Sequence, residues 1–290
     1  MEEVKYFKTI DEVLETVKFS NFERGKLIFR GQVNSEWLIT PTLFRKYSDP
    51  YETKLYEGGI LNLSFLNIKL PYVESNSPID LFITAQHFGI HTRLTDWTYD
   101  ILVALFFACF DKLNENVNKN GVIFLIDKQS FQYFNTNDIR FEKYKKPLLT
   151  ENIAFYSEEF SIQDVYIVEP VTKNPRMRVQ DALFLFFPYI VEEDMKTLIS
   201  LETYRKIRQK ELDKYNLTNK EKIKNFLFAK ILIDKDSKLT ILKELDEKYH
   251  ISFKSLFVDS IYSRQSEKIY ENLKRHIENQ IINYKKDKKR

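Results

Sequence analysis

Glycine is scarce in this chain of 290 residues: there are six, and none stands in a GxxxxGK or GxGxxG run. Loops that cradle phosphates through backbone amides need such glycines. Their absence excludes P-loop nucleotide hydrolases, protein kinases and the standard dinucleotide-binding Rossmann unit. Cysteine is scarcer still. Cys109 stands alone, so neither an internal disulfide nor a cysteine-built zinc site can form. The longest apolar run, Ile101 to Phe110, has ten residues, which suits a buried helix rather than the roughly 20 residues of a membrane span. Met1-Glu2-Glu3 lacks the basic-then-apolar opening of a secretory leader. The expectation is a cytoplasmic protein with no membrane contact.

A basic body is missing as well. The formal net charge is +3, but Lys285 to Arg290 supplies five positive charges and one negative, a net of +4, which leaves about −1 for the remainder. Duplex-binding domains carry their basic excess on the folded body. The tail reads as a solvated terminus.

Aromatic side chains are abundant, with 24 Phe and 17 Tyr, and hydrophobic residues make up 43%. That composition belongs to a folded chain with an aromatic interior. Ile10, Val13, Leu14 and Val17 follow helical spacing over Ile10 to Phe19, with Thr9 or Asp11 as cap. Helices are also expected over Thr53 to Leu70, over Asp80 to Phe88 with a stop at Gly89, and over Ile101 to Leu113. Strands are expected over Lys26 to Arg30, Asp164 to Val168, Ala182 to Phe187 and Phe226 to Ile233. Val122 to Ile126, opened by Gly121, reads as a central strand. Helix dominates from Glu192 onward. Strands and helices mix without a regular βαβ beat, so the fold class is α+β: a mixed central sheet with flanking helices and a helix-rich C-terminal part.

Three clusters set polar residues in apolar surroundings. Phe29-Arg30-Gly31-Gln32, continuing through Trp37 and Pro41 to Phe44-Arg45, places a guanidinium at the end of a strand beside a glycine that a ligand can approach closely. A structural arginine paired with a core carboxylate fits the same residues. The second cluster runs from Gln86-His87 through His91, Thr92-Arg93-Leu94 and Thr95 to Asp96-Trp97-Thr98. Buried polar groups are costly unless paired, so such density ahead of an apolar helix suits a site, or an interlocking polar turn that fixes the helix entrance. Asp96 or Thr98 could cap that helix. Gly89 spoils the shared face that a His87–His91 metal pair needs, so no metal is expected. Pro175-Arg176-Met177-Arg178-Val179-Gln180 is the third cluster. Arg176 and Gln180 share a face there only if the stretch is helical.

In this order the clusters resemble the FRG domain, a family named for its Phe-Arg-Gly motif. Phe29 to Gln32 with Trp37, Pro41 and Leu43 to Arg45 is similar to its opening segment. Gln86-His87, Thr92-Arg93-Leu94, Asp96-Trp97-Thr98 and Ala104 to Ala108 are similar to its most specific stretch. Arg176, Gln180 and Ser255-Leu256-Phe257-Val258-Asp259 are similar to its later segments. The motif-bearing core would span about 22–264 within a domain of 1–267, followed by a helix end and basic tail over 268–290. His91, Ala182 and Val258 depart from the family's usual proline, glycine and proline.

The resemblance implies bacteria and phages, a setting near defence or toxin genes, and a site built from the Arg-Gly strand and the polar turn before the apolar helix. The chain order also resembles ADP-ribosyltransferase-like folds, with Arg30, then Thr95 or Thr98, then Gln180. On that analogy the substrate is NAD and the acceptor is a protein or nucleic acid. Arg30 would hold a phosphate bidentately, Gly31 would meet the nicotinamide amide, Trp97 or a neighbouring aromatic would stack, and Gln180 would orient the ribose. Gln32, Arg45, Gln86, His87, Arg93, Thr95, Thr98 and Arg176 would complete the binding set. A cation-like transition state calls for a carboxylate, which Asp96, Glu158 or Glu159 would supply. The alternatives are a nucleotide- or nucleic-acid-binding or nuclease module using Arg30, Arg45, Arg93 and Arg176, and a non-catalytic interaction scaffold.

Overall fold

Alternation of side chains along the strands assigns each residue to one of two cores. The strands are β1 (Tyr6–Phe7), β2 (Leu27–Gln32), β3 (Leu94–Thr98), β4 (Gly121–Asp127), β5 (Gln132–Asn135), β6 (Tyr166–Glu169), β7 (Ala182–Phe186) and β8 (Phe228–Ile233). In the computed structural model they form one eight-stranded sheet in the order β1-β8-β4-β2-β3-β7-β6-β5. The described residues are 5–19, 26–47, 52–53, 56–57, 78–87, 89–128, 131–135, 165–170, 173–187, 200–206 and 228–258, with single positions between 271 and 286. Pairing is parallel at the two ends, β1 with β8 and β5 with β6, and antiparallel in between. The α+β class expected from the chain is the one observed.

Ile28, Val122, Phe124 and Ile126 point into one core. Leu27, Phe29, Ile123 and Leu125 point into the other. The second core is covered by α1 (Ile10–Phe19), α4 (Ile101–Cys109), α6 (Lys238–Tyr249) and α7 (Phe253–Leu256). Over the first lie α2 (Thr42–Lys46) and α3 (Pro78–His87). A short helix, α5 (Pro175–Val179), precedes β7.

Helix α1 follows its apolar spacing, and Thr9 is its cap. The Glu12 amide donates to Thr9 Oγ1, while the Glu12 carboxylate accepts from the amides of Lys8 and Thr9. That is a reciprocal capping box. Gly89, with φ of 81°, takes the left-handed conformation after α3. Helix α4 ends at Cys109 rather than Leu113. The Asp111 carboxylate accepts from the amides of Leu113 and Asn116, and such side-chain bonds compete with helical ones. Its cap is neither Asp96 nor Thr98 but Asp100, whose carboxylate accepts from Leu102 N at 2.8 Å.

The polar turn expected before α4 is in fact strand β3, paired with β7 over five residues from Leu94↔Phe186 to Thr98↔Ala182. Thr95, Trp97 and Thr98 are good strand formers, and β7 supplies the pairing that local pattern does not show. Of the helix expected over Thr53 to Leu70, only residues 53, 56 and 57 are described, and all three are helical. Residues 207–227, Glu158 and Glu159, and most of the basic tail lie outside the described residues. Among the described residues no helix is long and apolar enough to cross a membrane.

Helix α4 crosses the sheet at unusually close range. A Cβ built on Gly31 would lie 1.9 Å from the Ala104 carbonyl oxygen, and one built on Gly121 would lie 2.2 Å from that of Ala108. Ala104 and Ala108 are one helical turn apart, so two glycines on neighbouring strands meet two alanines on one helix face.

Candidate functional site

Strand β2 pairs with β4 over six residues but with β3 at only one position, Phe29↔Thr98. The sheet is therefore nearly split between β2 and β3. At the split lies a cavity of about 240 Å³, reached by Arg30, Asp96 and Thr98 from the strands, Gln86 and His87 from α3, and Arg176 and Gln180 from α5 and its end. Its apolar wall includes Phe29, Ile83, Val103, Phe107, Met177 and Phe184. Those residues read from sequence only as core, because nothing in an apolar residue's spacing separates a cavity wall from packed interior.

Arg30 and Asp96 bridge the split. Arg30 Nη1 donates to the Asp96 backbone carbonyl at 2.6 Å and lies 3.9 Å from its carboxylate. Burial pulls the Arg30 pKa below its ordinary value; Asp96 opposes that shift, Arg45 adds to it and Glu202 opposes it. Arg30 Nε is buried and has no hydrogen-bond partner among the described residues. The Asp96 side chain is 65% exposed, and Gln86 Nε2 donates to its Oδ1 at 2.9 Å. Gln86 Oε1 in turn accepts from the Thr92 hydroxyl. An amide anchored at one end thus aims its donor at the carboxylate.

Thr98 ties three elements together. Its hydroxyl donates to the Gln180 carbonyl at 2.7 Å and accepts from the Asp100 amide at 3.0 Å. The Arg176–Gln180 stretch is helical through Val179, with Asn174 capping it. Gln180 Nε2 donates to the Leu256 carbonyl at 3.0 Å. The departure at Ala182 is harmless, because the left-handed position is Asp181, φ 43°, one residue earlier.

Of the candidates Arg30, Gln86, Arg93, Asp96 and Gln180, four line the cavity: Arg30, Gln86, Asp96 and Gln180. Arg93 does not line the cavity. Its Nε lies 3.0 Å from Glu57 Oε1 in a pair with side chains only 3% and 2% exposed, and its guanidinium sits over the Phe186 ring at 4.1 Å. Gly31 and Trp97 line the cavity and have packing roles as well. Gly31 does line the cavity, but the volume its missing side chain frees is filled by the α4 backbone, so close helix packing requires the glycine. Trp97 is 2% exposed, and its Nε1 donates to Thr95 Oγ1 at 3.0 Å. Its ring packs in the first core and also lines the cavity. Thr95, Gln32 and Arg45 do not line the cavity. Gln32 is buried with its Oε1 unpartnered among the described residues, and Arg45 feels the Asp96 charge.

Residues 25–117 match the family model of the FRG domain. The matched stretch, about a third of the chain, is similar to the FRG domain and holds Arg30, Gly31, Gln86, Asp96 and Thr98 with helix α4. Arg176 and Gln180 lie beyond it. No curated protein and no solved structure matches the chain.

Proposed function

We propose that the cavity at the split is a reaction site for NAD, with Asp96 as the carboxylate that stabilises a cationic ribosyl transition state. One observation carries the reading. Asp96 is the only carboxylate lining the cavity among the described residues; Gln86 donates to that carboxylate and Arg30 to the Asp96 backbone carbonyl. When nicotinamide leaves, the bond from ribose C1′ to the ring nitrogen breaks and its electron pair stays on nicotinamide. Positive charge then spreads over C1′ and the ring oxygen, and a fixed carboxylate lowers the energy of that state without reorganising. Attack at C1′ by water or an acceptor hydroxyl forms the new bond and releases a proton.

At about 240 Å³ the cavity is smaller than the roughly 300–1,000 Å³ of a drug-sized site. It suits the nicotinamide riboside end of the dinucleotide with the adjoining diphosphate at its edge and the adenosine outside. Depletion of NAD, or transfer of ADP-ribose to a protein or nucleic acid, fits a bacterial toxin or defence effector.

The test is nicotinamide release from NAD by the purified protein, with and without cell extract as acceptor source. Asp96→Asn is expected to remain folded by circular dichroism and to lose about a hundredfold or more in turnover, the scale of one well-placed electrostatic contact. Absence of release by the wild type under every acceptor condition would overturn the reaction.

A further inference from the structure

The cavity's charged ends come from different elements. Asp96 belongs to β3 and is held by β2 and α3, whereas Arg176 stands on α5, which packs against α7. The Arg176 guanidinium lies 4.3 Å from the centre of the Phe257 ring. A cation held against an aromatic face is attracted by the ring quadrupole, which fixes where its charge sits.

Phe257 is itself locked by a run of rings. It stacks on Phe253 at 4.5 Å, Phe253 stacks on Phe110 at 5.4 Å, and Phe107 meets Phe257 edge-on at 6.2 Å. Beside it the Leu256 carbonyl accepts from Gln180. The short stretch 253–257 thereby touches three residues of the cavity: Phe107, Arg176 and Gln180. Beside α5, Lys173 is engaged by Asp181 at 3.5 Å and Glu169 at 3.9 Å. Arg176 is the arginine of α5 that reaches the cavity.

We propose that residues 253–257 complete the site, with Phe257 a positioning residue that holds Arg176 to receive the diphosphate of the ligand. This rests on the dinucleotide reading for the identity of the ligand, but the anion contact stands on its own. A molecule with a cationic ring at one end and a diphosphate further along matches a cavity with Asp96 on β3 and Arg176 on α5.

Titration calorimetry with inorganic pyrophosphate tests it apart from catalysis. The wild type is expected to bind in the millimolar range or tighter. Arg176→Gln and Phe257→Leu should weaken that binding about three- to tenfold, whereas Phe257→Tyr, which keeps the aromatic face, should stay within about twofold. Thermal unfolding of each variant checks the fold. With NAD as substrate, Phe257→Leu should raise KM and leave kcat nearly unchanged. Pyrophosphate binding that depends on Phe257, without dinucleotide turnover, would keep the anion site and remove the reaction. Turnover with pyrophosphate affinity unaltered by Phe257→Leu would do the reverse. No pyrophosphate binding by the wild type in the millimolar range overturns the proposal.

Discussion

Arg93 and Arg30 show how little a residue's type says about its role. Both are arginines in polar motifs, yet Arg30 faces the cavity and Arg93 is sealed against Glu57. The difference lies in partners far along the chain, 66 residues for Arg30 with Asp96 and 94 for Arg93 with Phe187. Removing one member of a buried ion pair leaves an uncompensated charge, at a cost of about 3–5 kcal/mol. Arg93→Ala and Glu57→Ala are therefore each expected to destabilise the fold by that order, measured by denaturant titration, and the double variant should lose less than the sum. A loss below about 1 kcal/mol would show the pair to be dispensable, and would return Arg93 to consideration as a binding residue. Cys109 is similarly silent. Burial pushes its pKa up to about 12, so at neutral pH the thiol stays protonated and is a poor nucleophile.

Helix α4 is the element that sequence placed best and explained least. Its ten-residue apolar run announces a buried helix, and Asp100 caps it. What the run does not reveal is that Ala104 and Ala108 are there for the strands, letting Gly31 and Gly121 approach. Gly31→Ala would push a methyl group against the Ala104 backbone, which a flexible side chain cannot relieve. Overpacking typically costs about 1–3 kcal/mol, and a clash with backbone belongs at or above the top of that range. The expected result is a clear fall in the thermal midpoint, by calorimetry, with or without ligand. A Gly31→Ala protein as stable as the wild type but unable to bind would instead assign the glycine to ligand approach. Strand β3 is the opposite case. Its Thr-Asp-Trp-Thr reads locally as a turn and becomes a strand only beside β7.

At the scale of the whole molecule, two cores share one sheet, because β2 and β4 send alternate residues to both faces. Neither core can come apart without exposing the strands that build the other. Unfolding of the described body is therefore expected in one transition, with fluorescence and circular dichroism superimposing in denaturant. Two resolved transitions would show that the near-split between β2 and β3 divides the molecule into independent halves.

The α+β class, helix α1 with its cap, the central strand β4 and the buried α4 were legible from the sequence, since each rests on periodicity, capping or a continuous apolar run that acts over a few residues. The motif residues Arg30, Gln86, Asp96 and Gln180 stood out as well, because polar groups amid apolar ones need partners. Which of them share a cavity was decided only by the tertiary structure. Arg30 and Asp96 meet because β2 and β3 touch at a single pair before diverging, Arg176 meets Phe257 across 81 residues of chain, and Arg93 turns away to Glu57. Sheet order and helix crossing set those distances, and both follow from long-range packing that local pattern does not encode.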